Sequence, residues 1–288
     1  MCIIKMAKID NTTVKTPPFK IQGIKTKLIP CIYELVKNNS YDCWIEPFMG
    51  SGVVAFNIKP KKAILCDSNP YIIEFYSALK NKSIDDLIVR DFLEKEGKKL
   101  SELDDAYYYE IRERFNRDHM PLDFLFLNRS CFNGMIRFNR NGEFNVPYGH
   151  KPERFSKAYI TKICNQVKYV QQIITENDYS FVCQDFSETI KSANEKSIVY
   201  CDPPYIGRHV DYYDSWDEEN EILLHESLKN SSARFILSTW EKTKFRENEY
   251  IQKIWSSYNI KTTEHFYFVG AKESNRNSVI EALIYNFQ

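Results

Sequence analysis

Apolar runs of four to seven residues alternate along the chain with segments whose apolar residues recur at helical spacing. The runs are mainly apolar without regular polar alternation, and several end in an acidic residue, which is typical of strands buried on both faces of a parallel sheet. The first begins at residue 43 and precedes a glycine turn, and the others cover residues 62–67, 179–185, 198–202 and 233–239. Helical spacing is clearest at 28–36 and 218–228. The pattern predicts an α/β fold in which helices connect parallel strands.

Two other segments depart from this pattern. Residues 265–269 and 280–286 alternate in polarity, which predicts a closing antiparallel pair of strands. The segment between the second and third runs is helical in character and too long for a simple crossover. We therefore predict that residues 76–176 form an inserted domain, and that residues 17–75 and 177–288 form the domain that carries the sheet.

The predicted insertion contains a basic segment around a turn. Asn141-Gly142 stands between two short alternating segments, which predicts a β-hairpin. Residues 129–172 contain eight Lys or Arg and two Asp or Glu, a net charge of +6 in a chain whose overall net charge is +0. Basic residues interleaved with aromatics and asparagines fit contacts to phosphates and base edges of nucleic acid. An ordinary solvated surface is the alternative for such a run.

Composition narrows the class of protein further. With 288 residues and 43% hydrophobic content, the chain is able to bury a substantial core. Its eight cysteines include no C-x-x-C pair, so we expect free thiols in a reducing compartment and no zinc site. An apolar run of 18 residues and a signal-peptide core are both missing from the sequence, so we expect a cytoplasmic protein without a membrane span.

A glycine turn follows the first apolar run. Gly50-Ser-Gly52 lies between that run and an apolar helix start, and its glycines permit a ligand to approach the backbone closely. Ala55 replaces the third glycine of the dinucleotide fingerprint, which disfavours a pyrophosphate site. Asp67 ends the second run, where a carboxylate can accept hydrogen bonds from a ribose diol. The alternative for Asp67 is a helix cap.

The stretch Asp202-Pro-Pro-Tyr205 ends the fourth run. Its prolines can neither continue a strand nor begin an ordinary helical turn, so Asp202 is left at the carboxyl end of the strand. Ligands of open α/β sheets bind at that edge. We therefore expect a carboxylate, prolyl carbonyls and the Tyr205 ring to share one crevice. The alternative is a proline-terminated strand with a solvated aspartate.

Four blocks together resemble the amino-methylating DNA methyltransferases, most closely the adenine methylases of the Dam type. The blocks are Phe19-Lys-Ile-Gln-Gly-Ile-Lys25, Glu46-Pro-Phe-Met-Gly-Ser-Gly52 with Phe56-Asn57, the run from Phe132-Asn-Gly through Arg137-Phe-Asn to Gly142-Glu-Phe-Asn-Val-Pro-Tyr-Gly149, and Asp202-Pro-Pro-Tyr205. With residues 279–286, the resemblance covers nearly the whole chain from Phe19 onward. The family's first block is Lys-Trp-x-Gly-Gly-Lys, and here Ile21 replaces the tryptophan and Ile24 the second glycine.

The resemblance implies a Rossmann-like S-adenosylmethionine-dependent methyltransferase sheet with an inserted, mainly helical target-recognition domain that carries a β-hairpin. Residues 17–75 and 177–288 would then form the catalytic domain, and residues 76–176 the target-recognition domain. The implied reaction transfers a methyl group from S-adenosyl-L-methionine to the exocyclic N6 amine of a flipped-out adenine in duplex DNA. Cytosine N4 methylation and a non-catalytic DNA-binding protein on the same scaffold are the alternatives.

The same resemblance implies roles for individual residues and for partners. The expected catalytic residues are Asp202, Pro203, Pro204 and Tyr205. The expected cofactor-binding residues are Ile21, Lys25, Glu46, Pro47, Phe48, Gly50, Gly52, Asp67, Asp185, Phe186 and Asp202. The expected DNA-binding residues are Arg129, Asn133, Arg137, Asn139, Arg140, Asn145 and Lys151. We expect double-stranded DNA as partner, no metal, a monomeric chain, and a cognate restriction endonuclease that recognises the same site without forming a stable complex.

Overall fold

The computed structural model describes residues 14–206, 216–243, 246–268 and 276–288. The α-helices in these ranges are α1 Ile29–Val36, α2 Val53–Ile58, α3 Pro70–Lys80, α4 Asp86–Leu103, α5 Asp105–Asp118, α6 Pro121–Ser130, α7 Lys157–Glu176, α8 Phe186–Lys191, α9 Glu218–Asn230 and α10 Glu249–Lys253. The strands are β1 Cys43–Glu46, β2 Lys62–Asp67, β3 Asp178–Cys183, β4 Ser197–Cys201, β5 Arg234–Thr243, β6 Asn259–Phe268 and β7 Arg276–Tyr285.

These strands form one sheet in the order β3-β2-β1-β4-β5-β7-β6. Neighbours from β3 to β5 are parallel, and β7 runs antiparallel to both β5 and β6. The predicted α/β class, the five parallel runs and the closing antiparallel pair are therefore confirmed. Strands β1, β2 and β3 follow one another outward on one side of the sheet, and β4 lies on the other side of β1, where it begins the other half. Ligands of open α/β sheets bind at such a switch point.

Side chains that alternate along the strands fill two apolar cores. Trp44, Leu65 and Tyr200 belong to the core that α1, α3 and α7 cover. Ile45 and Val199, the neighbours of Trp44 and Tyr200 in the sequence, belong to a second core with α8, α9 and α10. Because both faces of the sheet are buried, its central strands are apolar without alternation.

Helices α4 to α7 occupy the long connection between α3 and β3. Their buried apolar residues belong to the core on the α1 side of the sheet. The Phe19 ring, for example, lies 4.7 Å from the ring of Phe75 in α3 and 5.2 Å from that of Phe124 in α6. The connection is mainly helical, and the proposed boundaries of an inserted domain stay a prediction.

The predicted hairpin is short. Phe138 and Phe144 form an antiparallel bridge, and the Gly142 N–H donates to the Asn139 carbonyl at 2.9 Å to close the turn. Gly142 has a φ of +77°, which glycine adopts without strain. The Asn139 side chain accepts hydrogen bonds from two further N–H groups of the turn, at 2.9 and 3.0 Å. Asn139 therefore stabilises the tip of the hairpin.

Seven cysteines lie in the described ranges, and all seven are free thiols. Over the same ranges, none of the helices combines the length and apolar character that crossing a membrane requires. The described His, Cys, Asp and Glu side chains form no group of three or more that could hold a metal ion.

Candidate active site

Carboxyl groups follow three neighbouring strands at the point where each strand ends. Glu46 is the last residue of β1 and Asp67 the last residue of β2, and Asp202 directly follows β4. Since β1 lies between β2 and β4, the three residues line one edge of the sheet. The topology thus brings together acids that are far apart in the sequence.

Asp202 is held in place by two donors. Lys25 Nζ lies 2.7 Å from Asp202 Oδ1, and Ser238 Oγ donates to the same oxygen at 2.9 Å. The Lys25 side chain is 4% exposed and that of Asp202 is 22% exposed. Burial raises the pKa of Asp202, and the Lys25 ammonium opposes this shift. Within the described residues both donors bind Oδ1, so Oδ2 is the oxygen that can accept from a ligand.

Lys25 also connects Asp202 to Tyr205. Its Nζ donates to the Gly23 carbonyl at 2.8 Å and lies 4.7 Å from the centre of the Tyr205 ring. The Tyr205 hydroxyl donates to Glu281 Oε1 at 2.8 Å. Lys25 therefore orients the Asp202-to-Tyr205 motif, and its expected contact with a cofactor stays a prediction.

The turn after β1 has conformations that favour glycine. Gly50 and Gly52 have φ values of +48° and +68°. A β-carbon on Gly52 would lie 2.5 Å from the Phe56 ring, so a larger residue would not fit. A β-carbon on Gly50 would meet only Ile21 Cδ1, at 3.7 Å. Glycine at position 50 thus leaves the backbone of the turn uncovered on the side that faces Ile21.

Asp67 ties this turn to the start of α3. Its Oδ2 accepts from the Gly50 N–H at 2.8 Å, and its Oδ1 accepts from the Asn69 N–H at 3.0 Å. The N-cap of α3 is Asn69, whose side chain accepts from the Tyr71 N–H. A carboxylate has about four acceptor sites, so these two hydrogen bonds are compatible with a further bond to a ribose.

Glu46 is a buried acid, with 1% exposure, beside the turn. It accepts hydrogen bonds from Trp44 Nε1 at 2.8 Å and from the Ala55 N–H. Burial raises the pKa of Glu46 to about 8, and the charge of Asp202 acts in the same direction. The Glu46 carboxyl therefore holds its proton more strongly than an exposed glutamate does. A cation bound beside it would favour the ionised form.

Aromatic rings cluster beside the N-terminus of α8. The rings of Phe48 and Phe186 stack with centres 5.2 Å apart, and the Trp216 ring lies 5.5 Å from each. Asp185 is exposed and caps α8 by accepting from the Ser187 N–H at 2.9 Å. Pro47, which precedes Phe48, is buried. A flat apolar surface next to a hydrogen-bonding residue suits a purine ring.

The expected DNA-binding residues differ in their surroundings. Asn133, Arg140 and Lys151 are exposed. Arg137 donates through Nε to the side-chain oxygen of Asn145 at 2.8 Å, and the two residues also pair through the backbone. The hairpin therefore fixes Arg137, Asn145 and the Asn139 turn relative to one another. Their contact with DNA stays a prediction.

Arg129 lies inside the fold. It is 5% exposed and donates to the Pro18 carbonyl at 3.0 Å, and burial together with Arg154 lowers its pKa to about 10. This position gives no support to its prediction as a DNA contact, because a phosphate does not reach a buried guanidinium. Burial and the charges of Arg129 and Arg154 also lower the pKa of Lys20 to about 8. Cations are thus concentrated near the start of the hairpin segment.

Three residues of the site were not predicted from the sequence: Ser238 in β5, Glu281 in β7, and Trp216. Ser238 and Glu281 interrupt runs that are otherwise apolar, and a buried polar residue inside a strand is a signal for a specific partner. Trp216 has no such signal, since a lone tryptophan is compatible with any apolar core.

The strand order, the glycine turn after β1 and the oriented carboxylate after β4 define a Rossmann-like methyltransferase. Residues 22–269 match the D12 class N6 adenine-specific DNA methyltransferase family, and the chain belongs to this family. The resemblance drawn from the four sequence blocks is therefore confirmed.

Several characterised proteins are similar to the chain. Type II methyltransferase M.FokI of Planomicrobium okeanokoites is 29% identical over 99% of this chain, which spans only 45% of that protein's length. Type II methyltransferase M.MjaIII of Methanocaldococcus jannaschii is 29% identical, with 94% of this chain and 99% of that protein aligned. The DNA adenine methylase of Haemophilus influenzae is 35% identical over 67% of this chain and 65% of its own length.

Proposed function

We propose that this protein transfers a methyl group from S-adenosyl-L-methionine to the exocyclic N6 amine of a flipped-out adenine in duplex DNA. The observation that carries the proposal is the orientation of Asp202 at the end of β4, where Lys25 and Ser238 both bind Oδ1. Membership of the D12 family supplies the class of reaction. The geometry supplies the residue that would face the amine.

The residues along the ends of β1, β2 and β3 support a binding site for the different parts of the cofactor. Gly50 leaves the backbone of the turn uncovered on the side that faces Ile21, and Glu46 can form an anion next to a positively charged group. Asp67 can accept from a ribose diol, and the Phe48 and Phe186 rings offer a surface for adenine. When bound, S-adenosylmethionine supplies a methyl group on a positively charged sulfur. We assign its binding to Ile21, Lys25, Glu46, Pro47, Phe48, Gly50, Gly52, Asp67, Asp185, Phe186 and Asp202.

Asp202 would act on the target amine by hydrogen bonding. An exocyclic amine is a weak nucleophile because its lone pair is delocalised into the ring. Hydrogen bonds from the amine to Asp202 Oδ2 and to the Pro203 carbonyl favour a more tetrahedral nitrogen, whose lone pair can face the methyl group. Lys25 and Ser238 hold the carboxylate in the free protein. Catalysis would therefore rest on orientation and on preorganised electrostatics.

The adenine has to leave the duplex to reach this edge of the sheet. Tyr205 follows Pro204 directly, and its ring would stack on the extruded base. Base stacking on an aromatic side chain contributes about 1–3 kcal/mol, which offsets part of the cost of unstacking.

Binding to duplex DNA is assigned to the basic segment 129–172. Exposed Asn133, Arg140 and Lys151 can contact the backbone, and Arg137 is our candidate for reading a base edge. The names of two similar proteins, type II methyltransferases, support a companion restriction endonuclease for this chain that recognises the same site.

A methyl-transfer assay with product analysis tests the proposal. Duplex DNA is incubated with the protein and methyl-labelled S-adenosylmethionine, and the digested DNA is analysed as nucleosides by mass spectrometry. We expect N6-methyladenine. N4-methylcytosine would contradict the assigned base, and calorimetric cofactor binding without methyl transfer would indicate a non-catalytic DNA-binding protein. Methylome sequencing of cells that express the protein then identifies the recognised site.

A further inference from the structure

Glu281 is a buried carboxylate in the interior of β7 to which neither the sequence blocks nor the proposed chemistry assigns a role. It is 2% exposed and lies opposite Trp240 in β5 and Thr263 in β6. The residues that follow it, Ala282 and Leu283, are fully buried and apolar. Burying a carboxylate among apolar groups is unfavourable unless polar groups compensate for the lost water. The polar groups that Glu281 contacts therefore indicate what its role is.

One such group is the Tyr205 hydroxyl, which donates to Glu281 Oε1 at 2.8 Å. The two residues are 76 positions apart, and the sheet places β5 between β4, which precedes the Tyr205 loop, and β7. The hydrogen bond thus fastens the Asp202-to-Tyr205 loop to the antiparallel end of the sheet. Lys25 Nζ lies over the face of the Tyr205 ring, 4.7 Å from the ring centre, and the same Nζ forms an ion pair with Asp202. The Glu281 carboxyl group therefore holds the hydroxyl end of the ring, while the Lys25 ammonium lies over its face.

We propose that Glu281 is a positioning residue, which fixes the Tyr205 ring in the orientation that stacks on the extruded base. This inference rests on the proposed function. A tyrosine side chain has two rotatable χ angles, and ordering such a side chain during binding reduces affinity by a factor of about two to ten. The hydrogen bond to Glu281 orders the ring before the base arrives. Its loss is expected to slow methyl transfer about three- to tenfold and to leave cofactor affinity unchanged.

Three single variants and one double variant test this role by single-turnover kinetics at saturating cofactor. Glu281→Leu removes the acceptor, Glu281→Gln keeps an acceptor oxygen, and Tyr205→Phe removes the donor but keeps the ring. We expect Glu281→Leu and Tyr205→Phe each to slow transfer about three- to tenfold, and Glu281→Gln to stay within about twofold of wild type. The double variant Glu281→Leu/Tyr205→Phe is expected to be no slower than the slower single variant. A loss equal to the product of the two single losses would overturn the proposal.

A second measurement needs neither DNA nor cofactor. In protein labelled with ¹³C at tyrosine Cζ, the Tyr205 resonance is assigned by its disappearance in Tyr205→Phe. We expect this resonance to move in Glu281→Leu and to return towards its wild-type position in Glu281→Gln. An unchanged resonance in Glu281→Leu overturns the proposal. Failure of the wild-type protein to methylate adenine would instead overturn the proposed function, so the two failures are distinguishable.

A tyrosine–glutamate contact outside the site provides the matched control. Tyr250 donates to Glu218 Oε2 at 3.2 Å on the exposed surface between α10 and α9. Tyr250→Phe is expected to leave both the Tyr205 resonance and methyl transfer unchanged. If Glu281→Leu does not fold, Tyr205→Phe decides the question, because it removes the same hydrogen bond without altering β7. A wild-type transfer rate for Tyr205→Phe would then overturn the proposal.

Discussion

Asp202→Ala is expected to abolish methyl transfer and, at the same time, to destabilise the fold. Lys25 is 4% exposed and its Nζ lies 2.7 Å from Asp202 Oδ1, so the substitution leaves a buried ammonium without its counter-ion. Breaking a buried ion pair from one side costs about 3–5 kcal/mol. The Gly23 carbonyl and the Tyr205 ring still contact Nζ, and Asp202 is partly exposed. We therefore expect a loss of about 2–3 kcal/mol in the free energy of unfolding.

Calorimetry and a rate measurement check the two effects separately. In a chain of this size about 1 kcal/mol lowers the Tm by about 2 °C, so the Tm should fall by about 4–6 °C. Loss of a preorganised polar contact to the reacting group should slow methyl transfer on the order of a hundredfold or more. The assay is run well below the lowered Tm, so that all of the protein is folded.

Two further variants separate the charge effect from the catalytic effect. Lys25→Met/Asp202→Ala removes both charges, so its stability should return to within about 1 kcal/mol of wild type while methyl transfer stays lost. Asp42→Ala is the control, because Asp42 forms an exposed pair with Lys196 at 3.9 Å that contributes about 0–1 kcal/mol. A wild-type Tm for Asp202→Ala would refute the ion-pair argument, and near-normal turnover would refute the proposed mechanism.

Three other predictions concern the cofactor and the DNA. Asp67→Ala should weaken cofactor affinity more than it slows turnover at saturation, since a ribose contact is much the same in ground and transition states. Unchanged affinity in calorimetry would remove the cofactor role of Asp67 and leave it the structural role that its bonds to Gly50 and Asn69 indicate. Burial raises the pKa of Glu46 to about 8 in the folded protein, from 4.5 in the unfolded chain. Between these two pH values the folded protein binds a proton that the unfolded chain has released. The contribution of Glu46 to the free energy of unfolding should therefore fall as the pH rises from about 4.5 to 8. A cationic ligand favours the ionised form of Glu46, so cofactor affinity should rise with pH up to about 8. Calorimetry in two buffers of different ionisation enthalpy should detect that the wild-type protein releases protons when it binds the cofactor at pH 7. Equal proton release by Glu46→Gln would contradict this role. Arg137→Ala should reduce the free energy of binding by about 1–3 kcal/mol for the cognate duplex alone. Lys151→Ala and Lys157→Ala should weaken binding to all duplexes alike and reduce its salt dependence by roughly one contact each. If binding measurements show equal losses on cognate and scrambled duplexes for Arg137→Ala, Arg137 is another phosphate contact.

The sequence by itself determined the strands, their parallel arrangement and the acids at their ends. Apolar runs without polar alternation occur where both faces of a strand are buried, and residues 62–67 were predicted with the bounds that β2 has. Gly50, Gly52 and the motif from Asp202 to Tyr205 were recognisable because backbone conformation and proline chemistry depend on adjacent residues. Such local causes are visible in the sequence.

Only the tertiary structure decided which side chains meet. Lys25 reaches Asp202, and Glu281 reaches Tyr205, because the sheet order places β4 between β1 and β5 and brings β7 beside β5. A burial pattern states which face of a strand is covered and contains no information about the strand or loop that lies opposite. Arg129 illustrates the same limit, since it was expected to contact DNA and the packing of α6 buries it. A charged residue is buried or exposed according to partners that distant parts of the chain provide, here the carbonyl of Pro18.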